Sequence, residues 1–214
     1  SFTIGAVKPI LQQVTAVPNP TNDNTPDYTF FSTLPGTINY SGVCDSDNTS
    51  AVGDDNNTTV TFKPLAEADH SNCKISVTTN DNSSTSDNLS VNSFTIDTTA
   101  PTLSPVTLVP TPDNDSTPNY TFYSSEAGTI TYGGDCDSDN TTAVGRDNNT
   151  ITFNALVDDT YDDCTITVTD STGNTSDNLP VSPFKIDTTA PILSPVTLVS
   201  TPTGDNTPNY TFSS

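Results

Sequence analysis

The side chains of this sequence with the clearest capacity for chemistry are aspartates. Asp135, Asp137 and Asp139 stand at alternate positions, and carboxylate oxygens are the hard ligands that Ca²⁺ prefers. An EF-hand loop requires Gly at its sixth position and Glu at its twelfth, whereas this run has Asn140 and Arg146 there. The triplet is therefore a candidate calcium site of another kind. The alternative interpretation is a set of solvated aspartates that form turns.

Residue types that serve the common catalytic mechanisms are scarce. The chain has one His, His70, and two Glu, Glu67 and Glu126. Its sequence contains no GxSxG motif and no phosphate-binding loop. The aspartates fall in predicted turns, where no apolar pocket would separate the pKa values of a carboxylate pair. We expect no catalytic site and no enzyme activity.

The amino-acid composition limits the fold classes and the kinds of partner that this chain can have. The 214 residues include 26 acidic and 5 basic side chains, which gives a net charge of −21. We expect no nucleic-acid partner, because phosphate binding needs clustered Lys and Arg. No apolar run is long enough to span a membrane. The 17 Pro and the many Asp, Asn and Thr residues are typical of strands separated by tight turns.

Internal repeats decide the organisation. Residues 93–122, SFTIDTTAPTLSPVTLVPTPDNDSTPNYTF, recur at 183–212 with an offset of 90, and a third copy begins at residue 1. We expect a stretch of a longer array. The alternatives are a subunit whose two ends complement each other and a hybrid in which neighbouring chains pair these exposed strands, as in donor-strand assembly. The predicted units are residues 1–9 as the last strand of a preceding repeat plus a junction, 10–97 as repeat 1, 98–187 as repeat 2, and 188–214 as the first strands of an incomplete repeat.

The hydrophobic period within each repeat is two. In the segment Cys164–Thr169, Ile166 and Val168 face one way and the threonines the other, which is the pattern of a strand with one buried face. Seven such strands in about 90 residues predict a β-sandwich. For repeat 2 they are Val106–Val109, Asn119–Ser125, Thr129–Gly133, Thr141–Val144, Thr150–Ala155, Cys164–Thr169 and Leu179–Ile186.

Two phrases carry a resemblance to bacterial Ig-like repeats. They are FTIDTTAP at 94–101, which recurs as FKIDTTAP at 184–191, and TITVTDSTGNTS at 165–176. The resemblance implies an all-β chain of tandem Ig-like sandwich domains of about seven strands. Such repeats occur in surface adhesins, stalks and filament subunits, and as spacers beside catalytic domains. The first junction departs from the pattern because Gly5 stands where the others have Asp.

Each repeat contains two cysteines. In an Ig-like sandwich the third and sixth strands are antiparallel neighbours, so the resemblance implies one disulfide in each domain, Cys44 with Cys73 and Cys136 with Cys164. The alternative, a metal or redox site, lacks a CxxC motif. Persistent disulfides indicate an oxidising location, outside the cell or at its surface. His70 and Tyr161, each three residues before the second cysteine, occupy the corner where Ig-like domains often hold a Tyr whose hydroxyl caps nearby backbone.

The junctions between repeats are the second candidate calcium site. Asp97 and Asp187 follow the last strand of a repeat, and adhesin stalks of the kind that this chain resembles share calcium ions at this place with loops of the next unit. No cofactor is required, and Ca²⁺ is a candidate ligand. Prolines in each junction restrict the backbone and predict a semi-rigid connection; they are Pro9, Pro101 and Pro191.

Surface glycans are a further expectation. Asn-x-Ser/Thr sequons occur at Asn57, Asn119 and Asn140 among others, and sugars on exposed faces would shield sheet edges. Taken together, these features predict a non-catalytic structural subunit or stalk of an extracellular fibre, whose partners are copies of itself joined end to end or by strand exchange. The alternatives are an adhesin stalk whose binding module lies elsewhere and a spacer attached to an exported hydrolase.

Overall fold

The structure, a computed structural model, describes residues 7–53 and 56–213. Every regular element in these ranges is a β-strand, as the period of two predicts. The described ranges contain no helix with the length and apolarity needed to cross a membrane. The strand predicted for residues 1–4 lies outside the described residues.

The described part of the first repeat, which omits residues 54 and 55, contains nine strands in three sheets. One sheet has the order β1-β2-β5, the second has the order β4-β3-β7-β8, and β6 pairs with β9. All these pairs are antiparallel. The strands are β1 (Leu11–Thr15), β2 (Asp27–Ser32), β3 (Gly36–Ser41), β4 (Ser50–Ala51), β5 (Asn57–Thr61), β6 (Ala68–His70), β7 (Lys74–Thr79), β8 (Leu89–Ser90) and β9 (Phe94–Ile96).

The second repeat has the same arrangement, with sheet orders β10-β11-β14, β13-β12-β16-β17 and β15-β18. This is the strand pairing of a seven-strand Ig-like sandwich with additional short segments, which confirms the predicted fold class. Its strands are β10 (Leu103–Thr107), β11 (Asn119–Ser124), β12 (Gly128–Gly133), β13 (Thr142–Ala143), β14 (Asp147–Thr152), β15 (Thr160–Tyr161), β16 (Thr165–Thr169), β17 (Leu179–Pro180) and β18 (Phe184–Lys185).

The end of each repeat differs from the sequence prediction. The single predicted strand Leu179–Ile186 is two strands, since β17 pairs with β16 and β18 pairs with β15. The same switch occurs in the first repeat between β8 and β9, where Ser90 and Ser93 stand in place of Pro180 and Pro183, so the change of sheet does not depend on proline. The strand β15, which receives β18, was not predicted because only two of its residues pair.

Each repeat has its own buried core, built from the inward positions of the strands. In the second repeat, Ile166 and Val168 are fully buried, and the rings of Tyr120, Phe122 and Phe153 stack beneath the sheet. Tyr28, Phe30 and Phe62 repeat this stack in the first core. Alternation on short strands therefore concentrates a small supply of apolar residues on one face.

A disulfide joins the two sheet-forming segments next to the third and seventh strands of each repeat. Cys44 is bonded to Cys73 with a Cα–Cα distance of 5.2 Å, and Cys136 to Cys164 with a distance of 5.3 Å. All four cysteines are buried. The pairing is the one that the Ig-like resemblance implies.

Residues beyond the second repeat form only a two-stranded ladder, β19 (Ser194–Thr197) with β20 (Thr211–Ser213). Their sequence repeats that of β10 and β11, but their environment differs. Tyr210 and Phe212 are 54% and 57% exposed, whereas the corresponding Tyr120 and Phe122 are fully buried. Among the described residues, no second sheet lies against this face of the ladder.

Candidate functional site

The junction after each repeat begins with a short parallel bridge. Thr21 donates its N–H to the carbonyl oxygen of Thr95 at 3.0 Å, and Asp97 donates its own to the carbonyl oxygen of Thr21 at 3.0 Å. In the second repeat, Asp113 takes the place of Thr21 and bonds Lys185 and Asp187 in the same way, at 2.8 Å each. The backbone of both junction aspartates is therefore fixed to the body of its own repeat.

A carboxylate clamp holds the two threonines that follow Asp97. The Thr99 hydroxyl donates to Glu67 Oε1 at 2.7 Å, and the Thr98 hydroxyl donates to Glu67 Oε2 at 3.1 Å. These hydrogen bonds, that from Thr99 first, lower the pKa of Glu67. The carboxylate is therefore ionised and a strong acceptor at neutral pH.

The second junction repeats this clamp with a different acid. Asp158 Oδ1 accepts from the Thr188 N–H at 2.9 Å and from its hydroxyl at 2.7 Å, and Asp158 Oδ2 accepts from the Thr189 hydroxyl at 2.7 Å. The backbone bond from Thr188 is the largest cause of the lowered pKa of Asp158. We call these two arrangements the Thr-Thr clamps; sequence reasoning missed them because the acid lies about 30 positions before the threonines.

Three carboxylates meet at the junction between the two complete repeats. Asp97 comes from the end of repeat 1, whereas Glu126, in the turn between β11 and β12, and Asp170, after β16, belong to repeat 2. One oxygen from each lies within 4.8 Å of the others. Asn174 Nδ2 donates to the Asp97 carbonyl oxygen at 2.9 Å and to Asp170 Oδ2 at 2.9 Å. We call Asp97, Glu126 and Asp170 the junction triad.

The members of the junction triad differ in proton affinity. Burial, followed by the negative charges of Asp97, Asp170 and Glu67, raises the pKa of Glu126. Burial also opposes ionisation of Asp170, but hydrogen bonds from Thr172 and Asn174 outweigh it together with backbone N–H groups and lower the pKa. The triad is thus a concentration of negative charge, the electrostatic setting that a divalent cation neutralises.

The sequence replaces all three triad acids in the first repeat. Gly5 stands at the position of Asp97, Leu34 at that of Glu126, and Thr79 at that of Asp170. The structure describes the last two and not Gly5. The sequence offered part of this signal, since Asp97 was a candidate, but the partners Glu126 and Asp170 become visible only when the turns of the next repeat are placed beside it.

The remaining candidate aspartates occupy other surroundings. Asp187 bonds the Lys185 ammonium at 2.8 Å, and this cation is the first cause of its lowered pKa. Asp135, Asp137 and Asp139 are exposed and do not join the one group of three or more clustered acids found among the described residues. The calcium interpretation of these four residues stays a prediction.

The segment that contains Asp137 covers a sheet edge. In repeat 2 the Ser138 hydroxyl donates to the Thr152 carbonyl oxygen at 2.6 Å, and Asn140 Oδ1 accepts from the Thr152 N–H at 3.2 Å. In repeat 1 the Ser46 hydroxyl and Asn48 Nδ2 donate to carbonyl oxygens of β5. The shared CDSDN sequence therefore supplies side chains that bond part of the outer backbone, namely the carbonyl oxygens of Thr59 and Thr61 in β5 and both backbone groups of Thr152 in β14.

The junction prolines and the sequons occupy contrasting positions. Pro9 and Pro101 are buried, whereas Pro191 is exposed. All three sequon asparagines are exposed. Two of them already accept hydrogen bonds through Oδ1. Asn119 accepts from the Thr152 hydroxyl, and Asn140 accepts from the Thr152 N–H. Glycosylation of Asn57, Asn119 and Asn140 stays a prediction.

At the corner before the second cysteine of each repeat, a ring side chain forms hydrogen bonds with nearby backbone. The Tyr161 hydroxyl accepts from the Val157 N–H at 3.0 Å and donates to the Val157 carbonyl oxygen at 3.1 Å. His70 places Nε2 at 2.8 Å from the Ala66 carbonyl oxygen. The two side chains thus share the task of fixing the backbone four residues upstream.

Comparisons with known proteins provide one structural similarity. No protein-family model and no curated protein matches the sequence. Among solved structures, the chain is similar to the fibronectin(III)-like modules of Clostridium thermocellum CbhA, at 11% sequence identity and a TM-score of 0.40, over 83% of this chain and 94% of that one. This degree of similarity supports no functional conclusion, and the β-sandwich assignment rests on the strand order and the two cores.

Proposed function

We propose that this chain is a structural, non-catalytic part of an extracellular fibre or stalk built from tandem Ig-like repeats. The observation that carries the proposal is the pair of Thr-Thr clamps. Two successive junctions fix the same Thr-Thr step to a carboxylate of the preceding repeat, although the acid is Glu67 in one and Asp158 in the other. The recurrence of the arrangement with different acids favours a selected mechanical role for the junction.

The clamps determine how force and orientation pass from one repeat to the next. The connection from Asp97 to the start of β10 at Leu103 is five residues long, and it contains the two clamped threonines and the buried Pro101. A connection of this kind retains little of the freedom of a Gly/Ser linker. Equivalent junctions repeat one rotation and translation, which is how an array becomes an extended superhelix.

Two features that indicate export, the disulfides and the net charge, support the same proposal. The two disulfides form and persist in oxidising compartments, and each closes a loop in a small domain whose core alone is modest. A net charge of −21 favours solubility of a long exposed array. We therefore place the protein outside the cell or at its surface, with other copies as its partners.

The clamp can be tested on the intact chain by small-angle scattering and electron microscopy. Glu67→Ala removes both hydrogen-bond acceptors, so we expect a broader distribution of angles between the two sandwiches and a lower scattering-derived maximum dimension. Asp139→Ala, which removes an exposed aspartate away from both clamps, is the matched control and leaves the distribution unchanged. Equal rigidity in the Glu67→Ala protein would contradict a mechanical role for the clamp.

Two other functions use the same fold and need different neighbours. An adhesin stalk would end in a separate binding module, and a spacer would adjoin a catalytic domain of an exported hydrolase. Imaging of cell surfaces with an antibody against these repeats separates the three. Continuous labelled fibres support the filament proposal, whereas isolated stalks with a distinct head or labelled hydrolase complexes contradict it.

Calcium at the junction triad extends the proposal. The three carboxylates offer hard oxygen ligands from two repeats, and a shared cation would oppose their repulsion and stiffen the junction. We expect Ca²⁺ to raise the unfolding temperature, and Asp97→Asn to abolish this increase. The matched control is Asp135→Asn in the exposed triplet. An increase that survives Asp97→Asn but is lost in the control would move the site to the triplet.

A further inference from the structure

The sheet edges of the two complete sandwiches are partly covered, short or interrupted by proline, with one exception. Side chains of the CDSDN segments bond part of the outer backbone of β5 and β14, as described above, and the five-residue edge strand β10 contains Pro105. The edge strands β4 and β8 contain two residues each, and β6 contains three. Strand β1 contains five residues, and no described segment pairs with its outer side. An edge of this length is a template for another strand.

The backbone of β1 directs hydrogen-bonding groups toward that open side. Ile10 faces β2, because its N–H donates to the Thr33 hydroxyl at 3.0 Å and its carbonyl oxygen accepts from the Thr33 N–H at 3.1 Å. Successive residues of an antiparallel strand alternate in direction. Leu11 and Gln13 therefore point their N–H and carbonyl groups away from β2 and into the open side.

The equivalent strands of the other two units are guarded at this position. Pro105 in β10 and Pro195 in β19 correspond to Gln13, and proline has no N–H to offer an incoming strand. Proline on an edge strand is a recognised protection against pairing with other chains. The first repeat lacks this protection, because Gln13 keeps its N–H.

The presence of Gln13 where the other units have proline also changes the core beneath this position. Gln13 Oε1 accepts a hydrogen bond from the Tyr28 hydroxyl at 3.4 Å. Pro105 has no side-chain acceptor, and the Tyr120 hydroxyl is buried without a partner. The edge residue therefore determines whether the buried tyrosine hydroxyl has a partner. In the first repeat, Gln13 provides both the hydrogen-bond acceptor for Tyr28 and an open sheet edge.

The surroundings of β1 also lack the negative charge that dominates the chain. Residues 7–22 contain no Asp or Glu. The nearby Asp87 carboxylate lies 2.5 Å from the Lys8 ammonium, whereas Ala100 takes the place of Lys8 in the second repeat. Ile10 and Val14 are 68% and 48% exposed. This edge can therefore approach a second acidic chain with little charge repulsion.

We propose that β1 is a strand-addition edge and that its occupant is β1 of a second copy, antiparallel to it about a two-fold axis beside Gln13. The partner strand must have an open edge, no proline and no negative charge, and β1 itself meets all three conditions. The contact is lateral, so it differs from the end-to-end connection of the repeats and would join two stalks side by side. The competing occupant is the open edge of the short strand β20.

Sedimentation velocity of the full chain over a concentration series tests the proposal. We expect wild-type protein to dimerise and Gln13→Pro to dimerise about 30-fold more weakly, because each copy loses one backbone donor at the interface. Gln13→Ala keeps the N–H and is the matched control, with dimerisation close to that of wild type. Wild-type protein that stays monomeric, or a Gln13→Pro protein that dimerises like wild type, would overturn the proposal.

Proline is compatible with this position, since Pro105 and Pro195 occupy it in the other units. Should Gln13→Pro unfold because Tyr28 loses its acceptor, the double variant with Tyr28→Phe removes the unpaired hydroxyl and preserves the test. Pro105→Gln opens a second edge, so we expect oligomers larger than dimers from that variant. A Pro105→Gln protein that remains dimeric would argue against edge pairing.

A mixing experiment distinguishes the two occupants. Fluorescently labelled wild-type protein is combined with unlabelled Gln13→Pro protein at equal concentration. Pairing of β1 with β1 predicts a mixed dimer about 5-fold weaker than the wild-type dimer, because only one of its two copies lacks the backbone donor. A mixed dimer as tight as the wild-type dimer would show that the variant contributes a different strand, β20 being the candidate, and would overturn the choice of occupant.

Discussion

The two core tyrosines provide a sharp test of the structure because they are equivalent in sequence and differ in one hydrogen bond. Tyr28 and Tyr120 are both fully buried. The Tyr28 hydroxyl donates to Gln13, whereas the Tyr120 hydroxyl has no partner. A buried unsatisfied polar group costs about 1–3 kcal/mol. Tyr120→Phe should therefore raise the free energy of unfolding of repeat 2 by about 1–2 kcal/mol. Each kcal/mol corresponds to a rise of roughly 4–8 °C in melting temperature.

Tyr28→Phe is the matched variant in repeat 1, and it should have the opposite sign. Its hydrogen bond is long, so we expect a loss of about 0.5 kcal/mol. Hydrogen exchange resolved by mass spectrometry reports the stability of each repeat separately within the intact chain. Stabilisation of both repeats or destabilisation of both would refute the reasoning, because it would show that the two hydroxyls have equivalent surroundings.

A spectroscopic measurement supports the same comparison. Burial raises the pKa of Tyr28 to about 12 and also raises that of Tyr120. Absorbance titration of the single Phe variants should therefore remove one late-titrating phenol in each case. Loss of a buried phenol removes a titration step at high pH, whereas loss of an exposed phenol removes a step near the ordinary pKa of tyrosine. The titration therefore verifies that each variant removed the intended buried hydroxyl.

The remaining predictions concern the disulfides, the junction and one glycine. Replacing Cys136 and Cys164 with Ala should lower the stability of repeat 2 by about 3.5 kcal/mol in urea titrations; an unchanged midpoint would contradict it. Burial and neighbouring carboxylates raise the pKa of Glu126, so the folded state holds this proton more tightly and stability falls as pH rises through the raised value. Glu126→Gln should therefore raise the melting temperature at pH 7 in EDTA, with a difference that disappears below about pH 4; a constant difference across pH would contradict it. A Cβ on Gly128 would lie 2.3 Å from the Thr169 carbonyl oxygen, so Gly128→Ala should cost about 2–4 kcal/mol by calorimetry, whereas Gly204→Ala, with nothing within 4 Å, should be neutral.

Local pattern located the strands that make long ladders, although β10 and β14 begin three residues earlier than predicted. The alternation in β16 predicts its buried and exposed faces, because a strand has a side-chain period of two regardless of its neighbours. It missed β15 and merged β17 with β18, because the two-residue pairings of these strands depend on which sheet the chain joins. Pro105 also lay outside the predicted first strand, although an edge position tolerates it.

The junction shows the same division. Asp97 was a candidate from its position after the last strand, yet the sequence gives no direct sign that Glu126 and Asp170 approach it. Those residues come from two turns of the following repeat, separated by 44 positions along the chain, and their proximity depends on the placement of one sandwich against the next. The Thr-Thr clamps were missed for a similar reason.

The sequence alone determined the repeat, the all-β class and the division of the chain into acidic turns and short apolar strands, because these follow from local periodicity and turn chemistry. Only the tertiary structure decided which edges are covered, which carboxylates meet and which tyrosine hydroxyl lacks a partner. Each of these is a contact between residues distant in sequence, so its energy depends on three-dimensional proximity and on exclusion of water. Gln13 illustrates the difference: in the sequence it is one substitution among repeats, and in the structure it opens a sheet edge and satisfies a buried hydroxyl.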